Sequence, residues 1–208
     1  MNQKNSIRMV VFGGLFVALS IALSRLMSVT VPIQGIPGVR LSFGLVPVIV
    51  AGVLFGPVTG FMVGALSDFI GALLFPSGPY FPGFTVTYAL SGALPSFFVS
   101  NIRIRWEKTG SGRSLHMFYA FDWSKFRTVH PLLVGIAVSQ CLNSVVLNTL
   151  WISLINGKAY IALLPARLIT QAIMIPIFAV VSYTVVLIYR GAFRGQMPSL
   201  DIMIPSRE

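Results

Sequence analysis

Long apolar segments, bounded by turn residues or by basic clusters, run through this 208-residue sequence from one end to the other. A helix that crosses a bilayer needs roughly 20 mostly apolar residues. The stretches near 9–28, 41–56, 58–75, 84–102, 130–155 and 161–189 have apolar content of that order. The second and third are short and divided only by Gly56-Pro57, a tight-turn signal. Charged residues make up 10% of the chain, against about a quarter in a soluble domain, so too few polar side chains exist to cover a water-facing surface. A cytosolic enzyme, a secreted disulfide scaffold and a disordered chain are thereby excluded. The single cysteine, Cys141, has no partner for an internal bridge. The expected fold is an all-α integral membrane protein, one domain over residues 1–208, built as a bundle of six transmembrane helices.

A net charge of +10 could suggest a nucleic-acid partner, but the location of the charges argues otherwise. Eleven of the fifteen Lys and Arg residues fall in three places. These are the start of the chain (Lys4, Arg8), one polar loop (Arg103, Arg105, Lys108, Arg113, Lys125, Arg127) and the tail (Arg190, Arg194, Arg207). Apolar segments separate the clusters, as expected of cytoplasmic loops under the positive-inside rule. Six spans put both termini and the 103–127 loop on the same, cytoplasmic side; an odd number would leave one basic cluster outside. The first apolar run is too long for a signal-peptide core and five more spans follow, so it reads as a retained helix. No repeat, low-complexity segment or second domain is visible.

The external connections are then residues 29–40 (VTVPIQGIPGVR), 76–83 (PSGPYFPG) and 156–160 (NGKAY). The first two hold five of the thirteen prolines, with glycines and aromatic rings. Linkers are normally polar. Stiff apolar loops suit lids over an outward-facing pocket, and equally suit turns packed at the membrane interface.

Four basic residues lie outside the cytoplasmic clusters: Arg25, Arg40, Lys158 and Arg167. All belong to the outer half, where the positive-inside rule expects a deficit. An arginine at the centre of a spanning helix costs about 2.5–3.5 kcal/mol even on the insertion scale, so something should offset it. Snorkelling to headgroups suffices for Lys158 and Arg40; Arg25 and Arg167 suggest a water-accessible, anion-facing pocket. At 100° per residue Gln140, Asn143, Ser144, Asn148 and Trp151 fall within about 140° of one face of the fifth helix. Arg167, Thr170 and Gln171 share a face of the sixth, and Phe84, Tyr88, Ser91 and Pro95 follow a helical stripe on the fourth. Rings from one wall and amides from another suit a flat heteroaromatic ligand with anionic ends. Interhelical hydrogen bonding is the alternative use for Asn and Gln.

Asp68 is the only acid inside an expected span, and follows a small-residue stripe of Gly60, Gly64 and Ser67 that continues to Gly71. It could accept from a substrate amino group or neutralise an arginine such as Arg25. On the first helix Gly14, Ala18 and Ala22 recur every four residues, a flat strip for internal packing or for a partner subunit. The sequence has no P-loop, HExxH or GxSxG. His116 and His130 lie in or beside the basic loop, and no nucleophile–base pair can be assembled. The chain is expected not to be an enzyme and to need no cofactor; uphill transport would draw energy from a partner or an ion gradient.

The run GVRLSFGLVPVIVAGVLFGPVTGFMVGALSDFIGALLFPSGPYFPGFT, residues 38–85, resembles the folate-specific S component of energy-coupling-factor (ECF) vitamin transporters. FPSGPYFPGFT is its most specific piece, and Ala18-x-x-x-Ala22 is the expected companion. The resemblance implies a subunit of the bacterial plasma membrane that captures a vitamin at the outer face. It would deliver the vitamin by tilting against a module of one transmembrane coupling subunit and two ATPase subunits. Ala18 and Ala22 would dock on the coupling subunit, and the loops at 29–40 and 76–83 would close over the ligand. Helix projection makes Arg25, Asn143, Asn148, Trp151 and Arg167 the candidate substrate-binding residues, with Phe75, Phe81, Phe84 and Tyr88 as aromatic wall and lid; Arg40, Asp68 and Gln171 complete the candidate set. The nearest alternative is an S component for another flat vitamin, riboflavin or thiamine. A membrane scaffold would leave the outer arginines without a reason.

Overall fold

The computed structural model describes residues 3–33, 36–76, 80–109, 112–121, 130–157 and 160–192. Six helical rods form the bundle. They are α1 (Gln3–Leu26), α2 (Leu45–Phe55), α3 (Pro57–Leu74), α4 (Pro82–Val99), α5 and α6 (Tyr160–Ala192). The fifth rod is continuous but changes pitch: His130–Gln140 is α-helical, Cys141–Asn148 is π-helical, and Thr149–Asn156 is α-helical again. Two antiparallel hairpins serve as connections. β1 (Ser28–Ile33) pairs with β2 (Ile36–Ser42) between α1 and α2, and β3 (Ser100–Thr109) with β4 (Gly112–Phe121) between α4 and α5. The stretches read from sequence as an outer loop and a basic loop therefore contain paired strands, whose register breaks at Val31/Pro32 because proline cannot donate to the ladder.

The short second segment departs most from its expected span. Residues up to Ser42 belong to β2, and the helix proper has 11 residues. At 1.5 Å per residue that is about 16 Å, roughly half the hydrocarbon thickness. Nine of its residues, Val46 to Leu54, are buried. This helix is the centre of the bundle, surrounded by protein. Its end is set by Gly56 at φ 102°, a conformation costly for any residue with a Cβ. Pro57 then occupies the first turn of α3, where its missing N–H is no loss.

Around α2 the helices touch backbone to backbone. Gly52, Gly60 and Gly92, one each from α2, α3 and α4, meet at a single crossing. A Cβ on Gly60 would stand 2.6 Å from the Gly52 Cα and collide with the Gly92 carbonyl. Small residues permit this approach, which in a bilayer gains dispersion contacts rather than hydrophobic burial. Val46, Ile49, Val50 and Val53 continue the core to Leu132 and Ile136 of α5 and to Met174 and Phe178 of α6.

The outer surface is apolar. On α6 alone Ile161, Ile169, Ile173, Val180 and Ile188 are all more than half exposed. Among the described residues three helical stretches are long and apolar enough to cross a membrane: Pro57–Leu74, His130–Ile155 and Leu163–Tyr189. Val10–Leu26 and Leu45–Phe55 are shorter apolar helices.

Candidate functional site

The ends of α1, α3 and α5 and the starts of α4 and α6 bring the candidate residues to one end of the bundle. A polar interface ties α4 to α5. The Asn143 amide nitrogen donates to Ser91 Oγ at 3.0 Å and to Ser139 Oγ at 3.2 Å. One π-turn further on, Thr87 Oγ1 lies 2.9 Å from Asn148 Oδ1 and 2.8 Å from the Phe84 carbonyl, its one proton shared between the two. Thr87 and Ser91 are four apart on an α-helix and share a face. Asn143 and Asn148 are five apart, which at 100° per residue would point them roughly 140° away from one another. The i→i+5 geometry stacks them instead, so both reach α4. Thr149 Oγ1 bonds the Ser144 carbonyl five residues back at 3.1 Å, and Tyr160 donates to the Val145 carbonyl at 3.1 Å, supporting the widened turns.

From α6, the Gln171 amide nitrogen donates to Ser144 Oγ. Arg167, one turn earlier, is 8% exposed. Several buried polar atoms here have no protein hydrogen bond: Asn143 Oδ1, Gln171 Oε1, Gln140 Nε2 and Trp151 Nε1. Buried groups are normally paired, so four such atoms on two neighbouring helices are a concentration that a ligand or ordered water would resolve.

An aromatic group stands beside the amides. Phe81 is 5.4 Å from Trp151 and 6.0 Å from Phe84, ring centre to ring centre. Gly83 leaves the room: a Cβ there would fall 2.8 Å from Trp151 Cε2. Two further clusters join helix ends. Arg25 Nη2 donates to the Gly71 carbonyl at 2.8 Å, and its guanidinium lies 5.2 Å from the centre of the Phe75 ring. A cation there complements the C-terminal end of α3. Thr85 Oγ1 donates to Asp68 Oδ2 at 2.7 Å, and Tyr80 OH lies 2.9 Å from Thr85.

The sequence candidates are thus brought together unevenly. Asn143, Asn148 and Gln171 share the polar interface; Phe81, Phe84 and Trp151 stack at its edge. Asp68 is engaged with α4, and Arg25 and Phe75 join α1 to α3. Tyr88 turns away: its hydroxyl lies 3.4 Å from Ser20 Oγ, and its ring packs with Val17, Val48, Ala51 and Val63. The backbone of Arg40 pairs with Thr30 in the first hairpin, while its side chain and all of Lys158 lie outside the described residues. Gly14, Ala18 and Ala22 are exposed on α1, and a Cβ on Gly14 would meet nothing within 4 Å. Sequence reasoning missed Thr87 and Ser139, each one turn before a residue it had named. Widening both stripes by about 40° would have found them, since Thr87 lies beside Ser91 and Ser139 beside Asn143 in projection. Nothing local signals the link from Tyr80 to Thr85, which depends on how the loop returns.

A family model described as "ECF-type riboflavin transporter, S component" matches residues 4–190. A curated relative, the folate transporter FolT of Clostridium novyi (strain NT), is 31% identical over 177 residues, 85% of this chain and 87% of the relative. Among solved structures, FolT bound with folic acid superposes with a TM-score of 0.62 at 26% identity, over 84% of this chain and 91% of that one. The S component for biotin from an ECF-type ABC transporter superposes with a TM-score of 0.66 over 99% and 100% of the two chains. At 14% identity that match shows the shared fold alone.

Proposed function

The chain belongs to the S components of ECF-type vitamin transporters, integral proteins of the cell membrane that bind a vitamin and work with an ATP-driven module; from that premise we propose that its vitamin is folate. Folate joins a flat pterin, an aminobenzoyl ring and a glutamate with two carboxylates. The observation that carries this reading is the convergence at one bundle end of stacked rings, buried amides with unpartnered atoms, and the arginines Arg25 and Arg167. Riboflavin and thiamine would use the rings and amides but bring no carboxylate for the arginines.

In this reading Asn143, Asn148 and Gln171 meet the pterin edge, Trp151, Phe81 and Phe84 line its faces, and Arg167 and Arg25 pair carboxylate or carbonyl oxygens. Phe75, Asp68 and Arg40 support the wall and the loops above it. The basic 103–127 segment and both termini lie in the cytoplasm, and the site opens outward. The exposed Ala18/Ala22 strip is the docking face for the transmembrane coupling subunit. Ala22→Trp is expected to stop uptake by the assembled transporter while leaving folate affinity unchanged; loss of affinity instead would return α1 to a packing role.

The FolT relatives favour folate, whereas the matched family model is described for riboflavin. Tryptophan fluorescence of the detergent-purified protein, titrated with folate, riboflavin and thiamine and corrected for ligand absorbance, separates the two. Saturable quenching by folate alone supports the proposal. Quenching by riboflavin alone keeps the transporter and discards folate.

A further inference from the structure

We propose that Ser91 is a positioning residue that locks the Asn143 amide in one sense, so that the site selects a ligand edge that donates hydrogen bonds. The inference rests on the folate reading and deepens it. Ser91 Oγ donates to the Thr87 carbonyl at 2.9 Å, one turn back on α4. A hydroxyl has one proton, so toward Asn143 it can only accept, and the amide nitrogen donates to it. The second amide proton goes to Ser139. Both donors of Asn143 are therefore committed. Its Oδ1 is left, on a residue 1% exposed, with no protein hydrogen bond. Turning the amide over would set that oxygen against the Ser91 lone pairs with no proton between them. Asn143 is held as a fixed acceptor. Gln171 repeats the sense, its nitrogen donating to Ser144 and its Oε1 without a partner.

A fixed acceptor in a buried site requires a donor from the ligand, because two facing oxygens repel and neither can return to water. The 2-amino-4-oxo edge of a pterin reads amino, N–H, carbonyl, with two adjacent donors. The corresponding flavin edge reads carbonyl, N–H, carbonyl. Two acceptors of this sense, Asn143 Oδ1 and Gln171 Oε1, match the two adjacent donors of an aminopyrimidinone, whereas a flavin edge of similar flatness has one N–H to offer them. In this account Ser91 touches no ligand and acts through Asn143.

The test is calorimetric titration of the detergent-purified full chain, wild type and Ser91→Ala, with folate and with 2-desaminofolate, which lacks the exocyclic donor. Sites built to pair a ligand N–H reject analogues lacking it strongly. The wild type is expected to prefer folate by about tenfold or more. Ser91→Ala frees the amide to turn, and the preference should fall to about threefold or less. Ser91→Thr, which keeps the hydroxyl, should restore it. Where Ser91→Ala does not yield folded protein, Ser91→Cys replaces it, with a thiol of similar size that is a poor partner. An unchanged ratio, or equal weakening of both ligands, overturns the proposal and leaves Ser91 as packing. A wild type that binds folate without preferring it overturns this inference alone. A wild type that binds riboflavin and not folate removes this inference and the folate reading together.

Discussion

The two sides of α4 are built on opposite principles. Toward α2 and α3 it offers Gly92 to a crossing with Gly52 and Gly60, where backbones meet directly; the Thr85–Asp68 hydrogen bond ties α4 to α3 separately. Toward α5 it offers Thr87 and Ser91, and the interface is a set of hydrogen bonds that leaves acceptors and donors over. The glycine side is filled and has no use for a ligand. The hydroxyl side leaves buried polar atoms without a protein hydrogen bond, and it is there that we propose the vitamin binds. The difference teaches that a membrane bundle can hold a rigid half and a receptive half on a single helix, by the choice of residue at alternate faces.

The largest effect should come from filling the crossing. In Gly92→Ala the new methyl would lie 2.7 Å from Val48 Cγ1 and against the Gly60 carbonyl. Overpacking of this kind costs typically 1–3 kcal/mol and sometimes more. Detergent melting should show a large loss of stability, while Gly14→Ala, in open space, should melt as wild type does. Equal melting of the two variants would dissolve the contrast. Next is Arg167→Ala, expected to weaken folate by about a hundredfold in calorimetry, in keeping with about 1.5–3 kcal/mol for a hydrogen bond to a charged group.

Gln171→Leu sharpens the comparison from the other direction. It removes the unpartnered Oε1, so folate affinity should fall by about tenfold while the melting temperature of the ligand-free protein does not fall. A fall in both would make Gln171 a structural tie. The smallest effect is Trp151→Phe, which keeps a ring against Phe81. Affinity should change by about threefold or less, with most of the ligand-dependent fluorescence change abolished.

Much of this contrast was legible in the sequence, because it depends on which residues are small and which are amides. Gly60 and Gly64 of the small-residue stripe named the close-packed face of α3, whereas a Cβ on Gly71 would meet only Ile21 and Arg25 of α1, at ordinary contact distance; Gln140, Asn143, Ser144 and Asn148 named the polar face of α5. Two things were hidden. A projection at 100° per residue assumes a pitch that Cys141–Asn148 does not have. The reach of both asparagines to α4 comes from that change, which no single residue type announces. Tyr88 was the other: its place in a helical stripe is correct, but α4 is surrounded, and the face it occupies meets α1 and α2. Periodicity assigns residues to a face; only packing says which neighbour that face has.

The shortness of α2 bears on how the protein is made. Eleven residues, about 16 Å, would leave backbone ends stranded in hydrocarbon if this helix were released into the bilayer by itself. Its companion α3 follows after one glycine and is long enough to cross. The two must therefore leave the translocation machinery as a pair, with Gly56-Pro57 as the fold line and the glycine contact closing as they enter. The turn between them is as much a step in biogenesis as a bend in the finished molecule.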